Sequence, residues 1–117
     1  MGIRDQILKN ANLPSEATKV PEWNGVTVTV RGMTGVQRAE IAELINLGSG
    51  SATKKSLDAQ LKAIMSCVVD DEGKPIFTEA DKNFLAEQSS QLIDRLAEIA
   101  FRLSGLNKGA KETAAKN

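Results

Sequence analysis

The stretch from Thr18 to Arg31 constrains the fold more than any other part of the sequence. Two runs with strand-like composition flank Asn24-Gly25, a dipeptide that accepts the positive φ angles of a type I′ turn at least cost. Pro21 cannot donate a ladder hydrogen bond, so the first strand should be an edge, irregular or broken at that point. We predict a β-hairpin here, with an apolar face on its second strand formed by Val26, Val28 and Val30.

Composition narrows the class of protein. The 117 residues suffice for one domain, and 15 Lys and Arg balance 15 Asp and Glu. Zero net charge gives no basic field for nucleic acid, and the absence of His removes the commonest general base and zinc ligand. No apolar run is long enough for a secretion signal or a membrane span. We therefore expect a cytosolic protein without catalytic activity, cofactor, membrane contact or small-molecule substrate.

Helical periodicity accounts for most of the remaining chain. A capping box at Thr34 and Gln37 begins one predicted helix, which Gly48-Ser49-Gly50-Ser51 ends as a mobile loop. The apolar spacing predicts a central core helix at 57–68, and Thr78 with Asp81 resembles another capping start, with Phe84 and Leu85 facing inward. The predicted helices cover residues 3–11, 34–47, 57–68, a short segment after 78, and 91–103, where the sequence leaves open whether Ser89-Ser90 caps the last one.

Two further signals complete the predicted fold. Short β-branched or aromatic runs on either side of the turn at 71–74 make a second, minimal hairpin plausible. Gly105 and Leu106 fit a Schellman ending of the last helix. The fold class is α+β, a small and mainly helical domain at residues 1–106 with an N-terminal hairpin. Residues 107–117 should form a disordered tail.

Three candidate functional residues have alternative interpretations. Cys67 lies among apolar residues of the core helix, which favours a buried hydrophobe over a nucleophile. The acidic run beginning at Asp70 resembles the opening of a calcium loop, but its ligand spacing is wrong and a solvated turn is favoured. Trp23 is either a core residue, which we favour, or an exposed anchor beside an edge strand.

The sequence resembles the tail assembly chaperones of long-tailed bacteriophages and prophages. The resemblance is carried by Val20-Pro21-Glu22-Trp23, by residues 28–35 with Arg38, by residues 71–78 with Asp81, and by the ending from Ile93 to Leu106. It covers roughly residues 3–106 and includes no catalytic signature.

The resemblance implies a role in tail assembly. Such proteins coat the tape measure protein in the host cytoplasm, keep it soluble, and leave as tail tube subunits polymerise, so they are not expected in the mature virion. Tail tube protein and further copies of the chain are possible additional partners. The candidate partner-contact residues are Trp23, Val28, Met33 and Leu106.

Two other function classes compete with this one. The first is a structural subunit of the tail or head–tail connector, which would remain in the particle. The second is a small nucleic-acid-binding regulator, for which Lys54, Lys55 and Lys62 are the candidate contacts, although the zero net charge argues against it.

The last three residues suggest a frameshift. The resemblance implies a short form and a frameshifted longer form, and this chain would match the short form. The codons for Ala115-Lys116-Asn117 could include a slippery run. The nucleotide sequence of the gene and an overlapping downstream frame would test this hypothesis.

Overall fold

A computed structural model describes residues 2–10 and 12–106, without the side chain of Asn10. Within these residues the chain forms five α-helices and one three-stranded antiparallel sheet, which confirms the α+β class. The helices are α1 (Ile3–Asn10), α2 (Gly35–Leu47), α3 (Ala52–Cys67), α4 (Lys82–Ala86) and α5 (Ser90–Leu103); the strands are β1 (Ser15–Val20), β2 (Val26–Arg31) and β3 (Val68–Val69).

The predicted N-terminal hairpin is present, but its turn differs from the prediction. β1 and β2 pair in register from Ser15 opposite Arg31 to Val20 opposite Val26, so the loop has five residues instead of two. The reason is Pro21, which ends β1 and begins a short 3₁₀ turn. Asn24 and Gly25 follow with φ angles of 57° and 79°, and therefore supply the positive φ that closes the loop.

The core-facing side of the hairpin is slightly shorter than predicted. Val28 and Val30 are buried, as is Val20 on β1. Val26 lies on the same face of β2 but is 54% exposed, so the helices do not cover this end of the apolar face. It is the first residue of β2 and lies beside the loop.

The second hairpin becomes part of the first sheet. β3 pairs with β2 through Val68 opposite Val30, and Val69 forms an isolated bridge with Pro75 on the other side. The turn between them is closed by the Asp70 N–H, which donates to the Lys74 carbonyl at 2.8 Å. The minimal second hairpin is therefore confirmed, and β3 gives the sheet the order β1-β2-β3.

Local helix signals are mostly confirmed. Thr34 and Gln37 form the predicted capping box, and Ser89 caps α5 by accepting a hydrogen bond from the Leu92 N–H. α3 is the central helix and α5 packs against it and the hairpin. The buried residues of these two helices are Ala59, Leu61, Ala63, Ile64, Met65 and Cys67 on α3, and Leu92, Ile93, Leu96, Ala97, Ile99 and Ala100 on α5.

One inward-facing prediction in α4 is wrong. Leu85 is 2% exposed, whereas Phe84 is 54% exposed. Adjacent residues of a helix point about 100° apart, so when α4 turns Leu85 towards the core, Phe84 points away from it. The capping box that joins Thr78 to Asp81 is present and opens the preceding 3₁₀ turn.

The helix α5 ends as predicted. Gly105 has a φ of 80°, and the Leu106 N–H donates to the Phe101 carbonyl at 2.7 Å, as in a Schellman motif. The predicted disorder of residues 107–117 lies outside the described residues. So does Ala11, the predicted last residue of the first helix.

Candidate partner-binding surfaces

The structure holds Trp23 against the core. Its ring is half-buried and tilted against Phe77, with the ring centroids 5.8 Å apart. Its indole N–H donates to the Gln88 side-chain oxygen at 3.0 Å. This placement favours the core interpretation of Trp23, because both the ring and its polar edge have partners within the chain.

The other predicted contact residues do not form one surface with it. Val28 and Met33 are 6% and 8% exposed and belong to the hydrophobic core. Leu106 is 37% exposed at the end of α5. A partner could reach Leu106 directly, whereas contact with Val28 or Met33 would require the core to open. Contact of a partner with any of the four residues stays a prediction.

The first surface that sequence reasoning did not identify is the helix α1. Every side chain from Ile3 to Lys9 is exposed, including Ile3, Ile7 and Leu8. At 3.6 residues per turn these three apolar residues share one side of the helix with Arg4 beside them. Their periodicity indicated an amphipathic helix, but it could not indicate that the other described residues leave the apolar side uncovered.

The second surface is the C-terminal half of α2. Ile41, Leu44 and Ile45 follow the i, i+3, i+4 spacing of an amphipathic helix, and only Ile41 is fully buried. Ile45 is 50% exposed. Leu47 is 80% exposed next to the loop that follows α2. Large apolar side chains at this level of exposure are typical of partner-binding surfaces when they lie beside a groove.

Such a groove lies beside Leu47 and has a volume of about 410 Å³. We call it the α2–α4 groove, because residues from α2, α3, α4 and the turn before α4 line it. Its apolar lining is Leu44, Leu47 and Met65. Gly48 also lines the groove, and a side chain there would collide with the Leu44 carbonyl.

The charged residues around the α2–α4 groove are mainly acidic. Lys62 lies between two carboxylates, with its Nζ 3.6 Å from Glu40 and 3.6 Å from Glu79. Lys82 lies 3.7 Å from Asp58. The remaining lining carboxylate is Glu43, so the groove carries four carboxylates and two ammonium groups.

A second groove, of about 520 Å³, reaches α2 through Ile45. Its lining is mostly small or apolar, and Lys55 is its one charged residue among the part of the chain that the structure describes. The lining residues are Ile45, Ala52, Lys55, Ser56, Ala59, Gln60 and Phe101. The two grooves therefore differ in charge, although residues of helices line both of them.

The candidates for site chemistry have structural roles. Cys67 is fully buried, and burial raises the pKa of its thiol to about 11, well above the range in which a thiolate nucleophile forms. The Asp70 carboxylate accepts hydrogen bonds from the N–H groups of Lys74 and Glu72, and these bonds lower its pKa. This geometry assigns Asp70 to the turn. Across residues 2–10 and 12–106, no cluster of three or more Cys, Asp or Glu residues could hold a metal ion.

No helix in the described part of the chain combines the length and apolar character needed to cross a membrane. A comparison with curated proteins found no match. Among solved structures, the fold is similar to that of the bacteriophage HK97 tail assembly chaperone, with a TM-score of 0.68 and 22% sequence identity. The similarity covers 87% of this chain and 98% of the HK97 chain.

At this identity the structural similarity establishes the fold. The family follows from the sequence profile described as phage tail assembly chaperone, which matches residues 3–116. That match includes the hairpin, all five helices of the described residues and both exposed apolar surfaces. The chain belongs to the phage tail assembly chaperone family.

Proposed function

We propose that this protein binds the tape measure protein of its phage and keeps it soluble until tail tube subunits polymerise around it. The observation that carries the proposal is the exposed apolar side of the helix α1 together with the exposed Ile45 and Leu47 at the end of α2, in a chain whose family is named for chaperone activity in tail assembly. A long helical client with apolar stripes can pack on such surfaces by helix-in-groove binding. Many weak contacts of this kind would coat the client and still release it.

The proposal assigns the protein a temporary place in assembly. It acts in the host cytoplasm without catalysis, is displaced by the tail tube protein, and is absent from the mature virion. Leu106 adds exposed apolar surface at the end of α5, and we include it among the proposed contacts.

Co-expression tests the binding step. The tape measure protein is produced in bacteria alone and together with this chain, and its soluble fraction is measured. We expect the tape measure protein to become soluble and to copurify with a tagged form of the chain. A tape measure protein that stays insoluble, or that is soluble but does not copurify, would contradict the proposal.

Mass spectrometry of purified particles tests the release step. A chaperone that leaves should be missing from particles that contain stoichiometric tail tube protein. If the chain is present in a fixed ratio to other tail proteins, it is a structural subunit, and the proposal of a transient role is wrong.

A further inference from the structure

We propose that the α2–α4 groove binds an amphipathic helix whose apolar stripe is flanked by Lys or Arg. The inference rests on the proposed function, since it states which client segments the chaperone selects. It follows from the apolar lining of the groove, from its charges and from the orientation of α2.

The apolar lining determines that the ligand has an apolar stripe. Leu47 is 80% exposed at the edge of the groove, and Leu44 and Met65 line it. Covering these side chains removes apolar surface from water, which is the main driving force for helix-in-groove binding. Residues from three helices line the groove, and an amphipathic helix is the ligand that apolar grooves of this kind commonly bind.

The charges determine what flanks that stripe. Both ammonium groups of the groove already lie near carboxylates: Lys62 is shared by Glu40 and Glu79, and Lys82 is near Asp58. Glu43 has no ion-pair partner among the described residues. The lining therefore retains two negative charges in a chain of zero net charge, so a basic flank is attracted and an acidic flank is repelled.

The direction of α2 adds to the same preference. The helix ends at Leu47, and Leu44, Leu47 and Gly48 line the groove, so the C-terminal carbonyl groups of α2 lie near it. These groups carry partial negative charge, and the last turn of α2 has no basic residue to offset it. A Lys or Arg from the ligand can fill this role.

Two synthetic peptides of about 18 residues test the proposal, because shorter helices are marginal in water. Both peptides carry the same stripe of leucines at i, i+3, i+4 and i+7. In the Lys peptide the residues beside the stripe are Lys, and in the Glu peptide they are Glu. We expect the intact protein to bind the Lys peptide at least about fivefold more tightly in fluorescence anisotropy, with the preference lost near 1 M salt. Equal binding, or preference for the Glu peptide, would overturn the proposal.

Matched variants locate the binding to the groove. Glu43→Lys should abolish the preference, whereas Glu98→Lys, an exposed change of the same charge on α5, should leave it intact. Leu47→Ala should weaken both peptides, whereas Val36→Ala, at the exposed opposite end of α2, should not. If Glu98→Lys has the same effect as Glu43→Lys, and Val36→Ala the same effect as Leu47→Ala, the peptides do not bind at the groove and the proposal fails.

The helix α1 of a second copy is the competing occupant, since Arg4 lies beside its exposed apolar residues. Protein that self-associates in light scattering, loses that association in Glu43→Lys and binds neither peptide would assign the groove to self-assembly instead. Co-expression keeps the two proposals separate. If the wild type shows no preference between the peptides, the groove assignment is wrong. If the Glu43→Lys variant still solubilises the tape measure protein, the proposed chaperone function stands.

Discussion

At the scale of single residues, Gly32 shows how closely the end of the hairpin approaches α5. It is buried between β2 and α2, and its N–H donates to the Pro14 carbonyl at 2.7 Å. The next residue, Met33, donates its N–H to the Ser104 hydroxyl at 2.8 Å. These contacts fix the start of α2 against the end of α5.

Replacing Gly32 with Ala should destabilise the protein by about 1–3 kcal/mol, the usual cost of overpacking. The added Cβ would lie 3.0 Å from the Leu103 carbonyl oxygen and 3.2 Å from the Pro14 ring, so these neighbours must shift by a few tenths of an ångström. Gly35→Ala is the matched control, because a Cβ there has nothing within 4 Å. Chemical denaturation measures the stability of both variants, and equal unfolding midpoints would contradict the steric argument.

Glu22 is the residue whose ionisation should influence stability most visibly. Arg95 donates two hydrogen bonds to its carboxylate, at 2.9 and 2.7 Å. These bonds, together with a backbone hydrogen bond, lower the pKa of Glu22 from 4.5 to about 2. The folded state therefore favours the ionised carboxylate more than the unfolded chain does.

The stabilising effect of this ion pair should be present above about pH 4.5 and be lost as the pH falls towards about 2. Glu22→Gln should thus be less stable than the wild type near neutral pH, and the difference should shrink in that acidic window. Thermal unfolding of both proteins at several pH values between about 4.5 and 2 measures this difference in stability. Arg95→Met should reproduce most of the change, and a constant difference at every pH would contradict the assignment.

At the scale of elements, local signals predicted the helices well, but competing or distant interactions decided the sheet. The capping box could be predicted because Thr34 and Gln37, the two residues that form it, lie three positions apart in the sequence. Asn24-Gly25 suggested a two-residue turn, yet Pro21 ends the strand earlier and enlarges the loop. The pairing of β3 with β2 joins distant segments, and no local pattern specifies it.

The candidate surfaces were harder to predict than the elements that carry them. Periodicity shows which residues share a side of a helix, but not whether another element covers that side. Ile7 and Ile45 have the same kind of pattern as Ile64, and only Ile64 is buried. Glu40, Glu43 and Glu79 come together in one groove only because the fold brings α2 next to the turn before α4.

The helix α1 should be dispensable for the fold. None of its described side chains is buried, and the backbone hydrogen bond that joins the N-terminal segment to the end of β2 is accepted by Pro14, beyond the helix. Removing the residues before Asn12 should therefore change the unfolding temperature by less than about 3 °C, as for exposed surface changes. Calorimetry of the full and shortened chains measures this. A larger loss would show that α1 stabilises the domain.

At the scale of the whole molecule, side chains of the hairpin region link it to the helices. Glu16 forms an ion pair with Arg102 at 2.8 Å, and Glu22 forms one with Arg95. Both arginines lie on α5. Trp23 reaches Gln88, which follows α4. Because the hydrophobic core continues from Val20 and Val30 into α3 and α5, the sheet cannot separate from the helices without exposing core residues to water.

The domain should therefore unfold in one cooperative step, and the single Trp23 provides a probe of it. Its fluorescence reports the hairpin loop, whereas far-ultraviolet circular dichroism reports mainly the helices. In urea the two signals should have the same midpoint. Gln88→Ala removes the indole hydrogen bond and should lower both midpoints together, with a loss of about 1 kcal/mol. A fluorescence change that precedes the loss of helix would show that the hairpin opens separately, and only then would Val28 become accessible to a partner.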